Sequence, residues 1–271
     1  MPETLTAADG IVLAVEDHPV ASPRARVVIV HGYAEHLGRY AALVQRLVAE
    51  GFACHLFDLR GHGHSGGVAA HVARFDDYLS DLRLVIARVR DDVPLILLAH
   101  SLGGLIALRY VQTEPNAANA LAVSSPFLHP GFAVPAAKRL LAQIASWCAP
   151  TLPFDTGLDA EWLSTDESVV AAYQNDPLVL RKTTPRWFTE VEQAQHALIA
   201  GASDITLPLL MLLGNEDKIA DHELAAEVFT RIGSADKTLQ QYAGYRHEIF
   251  NETGRAVVID DLVKWMRGHA R

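Results

Sequence analysis

The segment Ala99-His100-Ser101-Leu102-Gly103 sets a serine among small residues where an apolar run, PLILLAH, gives way to a helical pattern, SLGGLIALRYVQ. A strand that turns sharply into a helix lifts the serine Oγ above the sheet, and the helix N-terminus beneath favours negative charge on the reacting oxygen. The string resembles the G-x-S-x-G elbow of nucleophilic serines, with Ala99 in place of the first glycine. Alanine is the smallest residue with a Cβ, so this departure is expected to tighten helix–strand packing and leave the chemistry intact. A serine that merely caps a helix is the plainer alternative. The strand that enters it argues for the nucleophile.

Such a serine needs a base to take its proton and a carboxylate to orient that base, in the chain order Ser, Asp, His. Asp217 follows the apolar run LPLLMLLG directly, in the loop GNEDKIAD. Glu216 and Asp221 compete for the role, but Asp221 reads better as the N-cap of the next helix. His247 follows KTLQQYAG in the loop YRHEIFNE; the other histidine between the acid and the last helix is His222, beside Asp221. Most loop aspartates are simply solvated. Here acid and base arrive in order, each after its own strand.

Periodicity supplies the elements that must carry these loops. ETLTAADGIVLAV is two alternating stretches around Asp9-Gly10, a hairpin signal. ARVVIVHG, FACHLFD, PLILLAH and ALAVSS read as buried strands, and helical patterns stand between them at 40–48, 75–89 and 101–112. This alternation implies a mostly parallel sheet covered on both faces. The rhythm breaks after Pro126: three or four helical segments and no convincing strand run to about residue 200, one with Ala137, Leu140, Leu141, Ile144 and Trp147 along a single stripe. It resumes with LPLLMLLG, a helix through Leu224 and Val228, KTLQQYAG and a last helix. The expected organisation is a core of residues 1–125 and 201–271, with 126–200 inserted as a helical cap. An insertion there sits over the C-terminal strand edge, where open α/β sheets place their ligands.

Half of the 271 residues are apolar and a fifth are charged, as in an ordinary soluble chain long enough for a full core. A formal net charge of −9, with no block of basic residues, argues against a nucleic-acid partner. Cys54, in GFACHLF, reads as a small core hydrophobe, and Cys148 lies on or just after a helix; both are expected to stay reduced. MPETLTAADG lacks the basic and apolar regions of a secretory leader, and no apolar run reaches about 18 residues. The cytoplasm is the expected compartment, with contact to a membrane surface through the cap left open. His62 and His64 flank glycines without an acidic or cysteine cluster beside them, so neither a metal nor another cofactor is expected.

At this point a family resemblance emerges. His31-Gly32-Tyr33-Ala34-Glu35-His36-Leu37-Gly38-Arg39-Tyr40 is similar to the HGxxEHxxRY stretch of the monoacylglycerol lipase and lysophospholipase family, and so are Asp58 to Gly66, the elbow, and Arg246 to Glu252. The likeness runs through nearly the whole chain and is weakest in the helical insertion. It implies the α/β-hydrolase fold, with an eight-stranded, mostly parallel sheet flanked by helices, and Ser101, Asp217 and His247 as a triad. It also implies an oxyanion hole made by the backbone N–H groups of Tyr33 and Leu102. The physics agrees for Leu102, whose N–H opens a helix and lacks an intrahelical partner. The family often has a small residue where Tyr33 stands, so Tyr33 is expected to narrow the pocket wall. Glu35, Arg39 and His100 are carried over as contacts to the polar part of a substrate. Glu35 and Arg39 are four apart and would pair on one face if helical, with a plain surface pair as the alternative.

The reaction expected is hydrolysis of a lipid ester, a monoacylglycerol before a lysophospholipid, since no cluster of lysines or arginines stands ready for a phosphate; a broad short-chain carboxylesterase is the other alternative. Trp147, Trp162, Trp187, Phe127 and Phe188 are available as walls for an acyl chain, although packing of the cap claims most of them. Amide or carbon–carbon bond cleavage with the same triad is a second reading. A silent ligand-binding relative is a third, and would usually show a damaged triad.

Overall fold

The computed structural model describes residues 3–270; Met1, Pro2 and Arg271 lie outside it, the first two belonging to the stretch read for a leader. In chain order the elements are β1 (Glu3–Thr6), β2 (Val12–His18), β3 (Arg26–Val30), α1 (Ala41–Ala49), β4 (Ala53–Phe57), α2 (Phe75–Val89), β5 (Leu95–His100), α3 (Leu102–Thr113) and β6 (Ala120–Ser124). There follow α4 (Ala136–Cys148), β7 (Phe154–Asp155), α5 (Glu167–Asn175), β8 (Lys182–Thr183), α6 (Pro185–Ala200), β9 (Leu209–Gly214), α7 (His222–Arg231), β10 (Lys237–Tyr242) and α8 (Arg255–His269).

Eight strands form one sheet in the order β1-β2-β4-β3-β5-β6-β9-β10. The β1–β2 hairpin is antiparallel and meets β4 antiparallel, and every pairing from β4 to β10 is parallel. Side chains alternate across a strand, and the central strands are apolar on both faces. Val28, Val30, Leu97, Val123 and Met211 pack with α2, α3 and α7 on one side. Val27, Ile29, Ile96, Leu98, Ala122 and Leu212 pack with α1 and α8 on the other. Each fully buried side chain of this kind contributes about 1.5–3 kcal/mol. Uniformly apolar strands therefore demand helices on both faces, as the sequence pattern implies.

The chain leaves the sheet at the C-terminal end of β6 and returns to it at β9. Between them the structure differs from the sequence reading in two ways. β7 and β8 form a two-residue antiparallel ladder, Phe154 opposite Thr183 and Asp155 opposite Lys182, too short to leave an alternating pattern. The apolar stripe of α4 is also uncovered: Leu140, Leu141 and Ile144 are more than half exposed and Trp147 is 84% exposed. Both thiols are free, Cys54 buried and Cys148 exposed. Among the described residues no helix is long and apolar enough to cross a membrane.

Candidate active site

The C-terminal ends of β5, β6, β9 and β10 lie along the same edge of the sheet, and the loops that follow β5, β9 and β10 meet there. β5 ends at His100, and Ser101 turns the chain into α3 with φ +51°, a backbone conformation that costs an L-residue about 1–3 kcal/mol. Neighbours hold it there: the Ser101 N–H donates to the Ser124 carbonyl at 3.0 Å, and the Ser101 carbonyl accepts from Phe127 N–H at 3.0 Å. A Cβ on Gly103 would come within 2.2 Å of the Val30 carbonyl oxygen, so only glycine lets α3 lie this close to β3.

Asp217 and His247 reach the same point from the loops after β9 and β10. His247 Nε2 lies 2.9 Å from Ser101 Oγ, and its Nδ1 lies 2.7 Å from Asp217 Oδ2. The other Asp217 oxygen accepts the N–H groups of Ile219 at 2.8 Å and Ala220 at 2.9 Å, which fixes the carboxylate plane. The competitors are elsewhere: Glu216 is exposed, and Asp221 caps α7 by accepting from Leu224 N–H at 2.9 Å. Burial, the largest influence on His247, works against the imidazolium. The charge and hydrogen bond of Asp217, joined by Glu248 and Glu35, outweigh it, so the pKa stands above the ordinary imidazole value.

The backbone N–H groups of Tyr33 and Leu102 donate to no protein acceptor among the described residues. Gly32 packs against the elbow, where a Cβ would lie 3.1 Å from that of Ser101. The His31 imidazole Nδ1 lies 2.7 Å from the Gly32 carbonyl, while its Nε2 accepts the Leu59 N–H at 2.9 Å, so Nδ1 carries the proton. Histidine-31 thus holds the peptide plane that also carries the Tyr33 N–H.

A cavity of about 680 Å³ opens from Ser101 and His247 and runs beneath α4 and α6, within the size range of sites for small apolar ligands. Tyr33, Phe127, Trp187 and Phe188 line it, as do Phe132, Leu141, Leu152 and Phe154. Trp147 faces solvent and Trp162 packs on Phe132 outside the lining.

Glu35 and His100 border this cavity beside Ser101, whereas Arg39 does not. The Glu35–Arg39 pair is present but buried and not helical, and Arg39 is bound more closely by a distant residue. Arg39 makes two parallel bonds to Glu248, at 2.6 and 2.7 Å, and is 3.5 Å from Glu35. Residues 37–40 form a 3-10 turn, and Glu35 precedes it, so the two side chains do not share a helix face. Glu35 Oε1 accepts the Gly32 N–H at 2.6 Å and the Tyr40 hydroxyl at 2.7 Å. Burial works against its charge, but the side chains of His100, Arg39 and His31 and the Tyr40 hydroxyl prevail and lower its pKa. His100 is held neutral, its pKa pushed down to about 4 by burial and by His247, whose ring lies 4.8 Å away. Sequence reasoning missed Glu248 and also Ser125, whose hydroxyl donates to the His247 carbonyl. Glu248 sits next to the base in the motif RHEIFNE, and that adjacency was the available signal.

The loop containing His62 and His64 is held by Asp58, which accepts the N–H groups of Leu37 at 2.8 Å and His64 at 2.7 Å. His62 is buried and kept neutral, its pKa lowered to about 3 by burial and by His31.

A strand order of this kind, with a serine elbow after β5 and an aspartate and a histidine after β9 and β10, defines an α/β-hydrolase. The family described as "Serine aminopeptidase, S33" matches residues 21–254, and the chain belongs to it. A monoacylglycerol lipase of Mycolicibacterium smegmatis is 33% identical over 255 residues, which cover 93% of this chain and 91% of that relative. A phospholipase of Bacillus subtilis is 32% identical over 242 residues, covering 88% of this chain and 92% of the relative. The crystal structure of a monoacylglycerol lipase from Paleococcus ferrophilus superposes with a TM-score of 0.88 at 30% identity, covering 95% of this chain and 99% of that one. The chain is a carboxylic ester hydrolase.

Proposed function

We propose that this protein hydrolyses monoacylglycerols to fatty acid and glycerol through an acyl-enzyme on Ser101. The observation that carries the reading is the hydrogen-bonded series Ser101–His247–Asp217 at the mouth of a cavity with mainly apolar walls. Ser101 Oγ attacks the ester carbonyl as His247 Nε2 takes its proton, and Asp217 holds the Nδ1–H tautomer and the imidazolium that forms. The oxyanion rests on the N–H groups of Tyr33 and Leu102, each lowering the barrier by about 3 kcal/mol. His247 then protonates the leaving alcohol, and water repeats the sequence on the acyl-enzyme.

Residues 126–200 act as the cap that shapes the acyl site. The head group sits on the side of Glu35 and His100. The carboxylates of Glu35 and Glu248 border that side, and Arg39 is taken up by Glu248, so a neutral glycerol suits it better than a phosphate. The exposed stripe of α4 supports peripheral contact with a lipid surface, and two free thiols suit the reducing cytoplasm. A second reading, lysophospholipid hydrolysis, is favoured by the similarity to the Bacillus subtilis phospholipase and by Lys138 at the cavity wall.

A panel of p-nitrophenyl esters, monoacylglycerols, lysophosphatidylcholines and aminoacyl anilides, each run against Ser101→Ala, tests the reading. Monoacylglycerols should turn over fastest. Faster turnover of lysophosphatidylcholine would move the assignment to the second reading, and turnover of anilides without esters would end it.

A further inference from the structure

The turn that carries the Tyr33 N–H is bonded from above as well as from below. Its lower anchor is His31, through the Gly32 carbonyl. Its upper partners all lie in residues 176–182, the stretch of the cap from the end of α5 to the first residue of β8. The Tyr33 hydroxyl donates to the Lys182 carbonyl at 2.6 Å. The Ala34 carbonyl accepts the Leu180 N–H at 3.0 Å. His36 Nε2 lies 2.9 Å from Asp176 Oδ2. Three bonds thus join residues 33–36 to one short segment, two donated by Tyr33 and His36 and one accepted by Ala34.

That segment is itself braced. The Asp176 Oδ1 accepts the Leu178 N–H at 2.8 Å, and the Arg181 guanidinium donates to the carbonyls of Tyr173 at 3.2 Å and Gln174 at 2.7 Å. Ala34 has φ +65°, a left-handed conformation that a residue with a Cβ keeps only where its surroundings over-determine it. The three bonds brace the turn around it, together with the Gly32 N–H donated to Glu35. The Tyr33 ring, seated 4.2 Å from that of Trp187, has little freedom to swing away from Lys182.

We infer that the cap segment 176–182 sets the aim of the oxyanion donor, with the Tyr33 hydroxyl as the positioning group that transmits it. This rests on the assignment of the Tyr33 N–H to the oxyanion hole. A pocket-wall residue alters how substrate fits. A residue that aims a transition-state donor alters the rate once substrate is bound. The cap therefore acts on turnover as well as on access.

The test uses the full-length protein and p-nitrophenyl butyrate, a short soluble ester that leaves most of the acyl cavity empty, with active sites titrated by a fluorophosphonate. Tyr33→Phe keeps the ring and removes the bond to Lys182. The expected result is a fall in kcat per titrated site of about five- to tenfold, the size of one hydrogen bond, with KM within about twofold. Asp176→Asn, which weakens the bond to His36 at the other end of the segment, should lower kcat in the same sense and also spare KM. If both variants keep kcat within about twofold, or if the change falls on KM alone, the inference is overturned. The hydrolytic reading is checked separately by turnover of the unsubstituted protein and its loss in Ser101→Ala. If those hold while the two variants are unaffected, the inference about the cap fails and the reading survives. If the unsubstituted protein is inert toward the ester, both fall.

Discussion

The hydroxyl of Ser125 donates to the carbonyl of His247 across 2.8 Å, tying the end of β6 to the loop that follows β10. Ser125 is buried and has φ +43°, and the preceding residue, Ser124, accepts the N–H of Ser101. One dipeptide thus braces Ser101 and His247 together, although they lie 146 residues apart in sequence.

Removing that hydroxyl in Ser125→Ala should lower stability by about 1–2 kcal/mol, since the His247 carbonyl loses a buried donor. It should also lower kcat several-fold. Ser125→Gly loses the same bond but tolerates the positive φ, so it should be the more stable of the two. Urea unfolding with ester kinetics on both variants checks this.

The pH profile follows from His247. The base works as neutral imidazole, and its pKa is raised by Asp217, so kcat/KM should fall as pH drops through a value above 6.5, about tenfold per unit below it. Asp217→Asn removes the main influence that raises the pKa. The acid limb should shift to lower pH while kcat falls by about 10⁴-fold, because the tautomer is no longer held. An acid limb that stays in place would mean that Asp217 does not govern the base.

Arg39 neutralises two buried carboxylates. Arg39→Ala strands Glu35 and Glu248 without a counter-charge and should cost about 3–5 kcal/mol in denaturant unfolding. Arg39→Lys restores the charge but not the two parallel bonds to Glu248, so it should recover only part of the loss.

The uncovered face of α4 should hold the protein at a lipid surface. Ile144→Ser with Trp147→Ser should weaken partition into phosphatidylcholine vesicles at least about tenfold, since burying such side chains contributes about 1.5–3 kcal/mol each. Hydrolysis of a soluble ester should be unaffected. Sedimentation with vesicles and a parallel ester assay measure both.

What the sequence revealed and what it concealed have separate physical reasons. The sheet was legible because β3, β5, β6 and β9 are short apolar runs bounded by turns, and Ser101 because its strand and helix adjoin it in sequence. Asp217 and His247, which the structure brings beside Ser101, could be put forward because each directly follows a strand. Arg39 was paired with Glu35, four residues away, since local spacing is all a sequence displays; the stronger partner, Glu248, comes 209 residues later. Ser125 gave no signal, because neither a positive φ nor a hydroxyl bond to a distant carbonyl leaves a pattern. The stripe on α4 was visible as a stripe, but periodicity does not say whether a face meets protein, lipid or water.

The most direct measurement is the release of glycerol and fatty acid from a monoacylglycerol by the native protein and by Ser101→Ala, with folding of both checked by circular dichroism. The native protein should liberate the two products in equal amounts, and the variant should be slower by at least about 10⁴-fold. A folded Ser101→Ala that keeps turning over, or a folded native protein that releases neither product, would contradict the account.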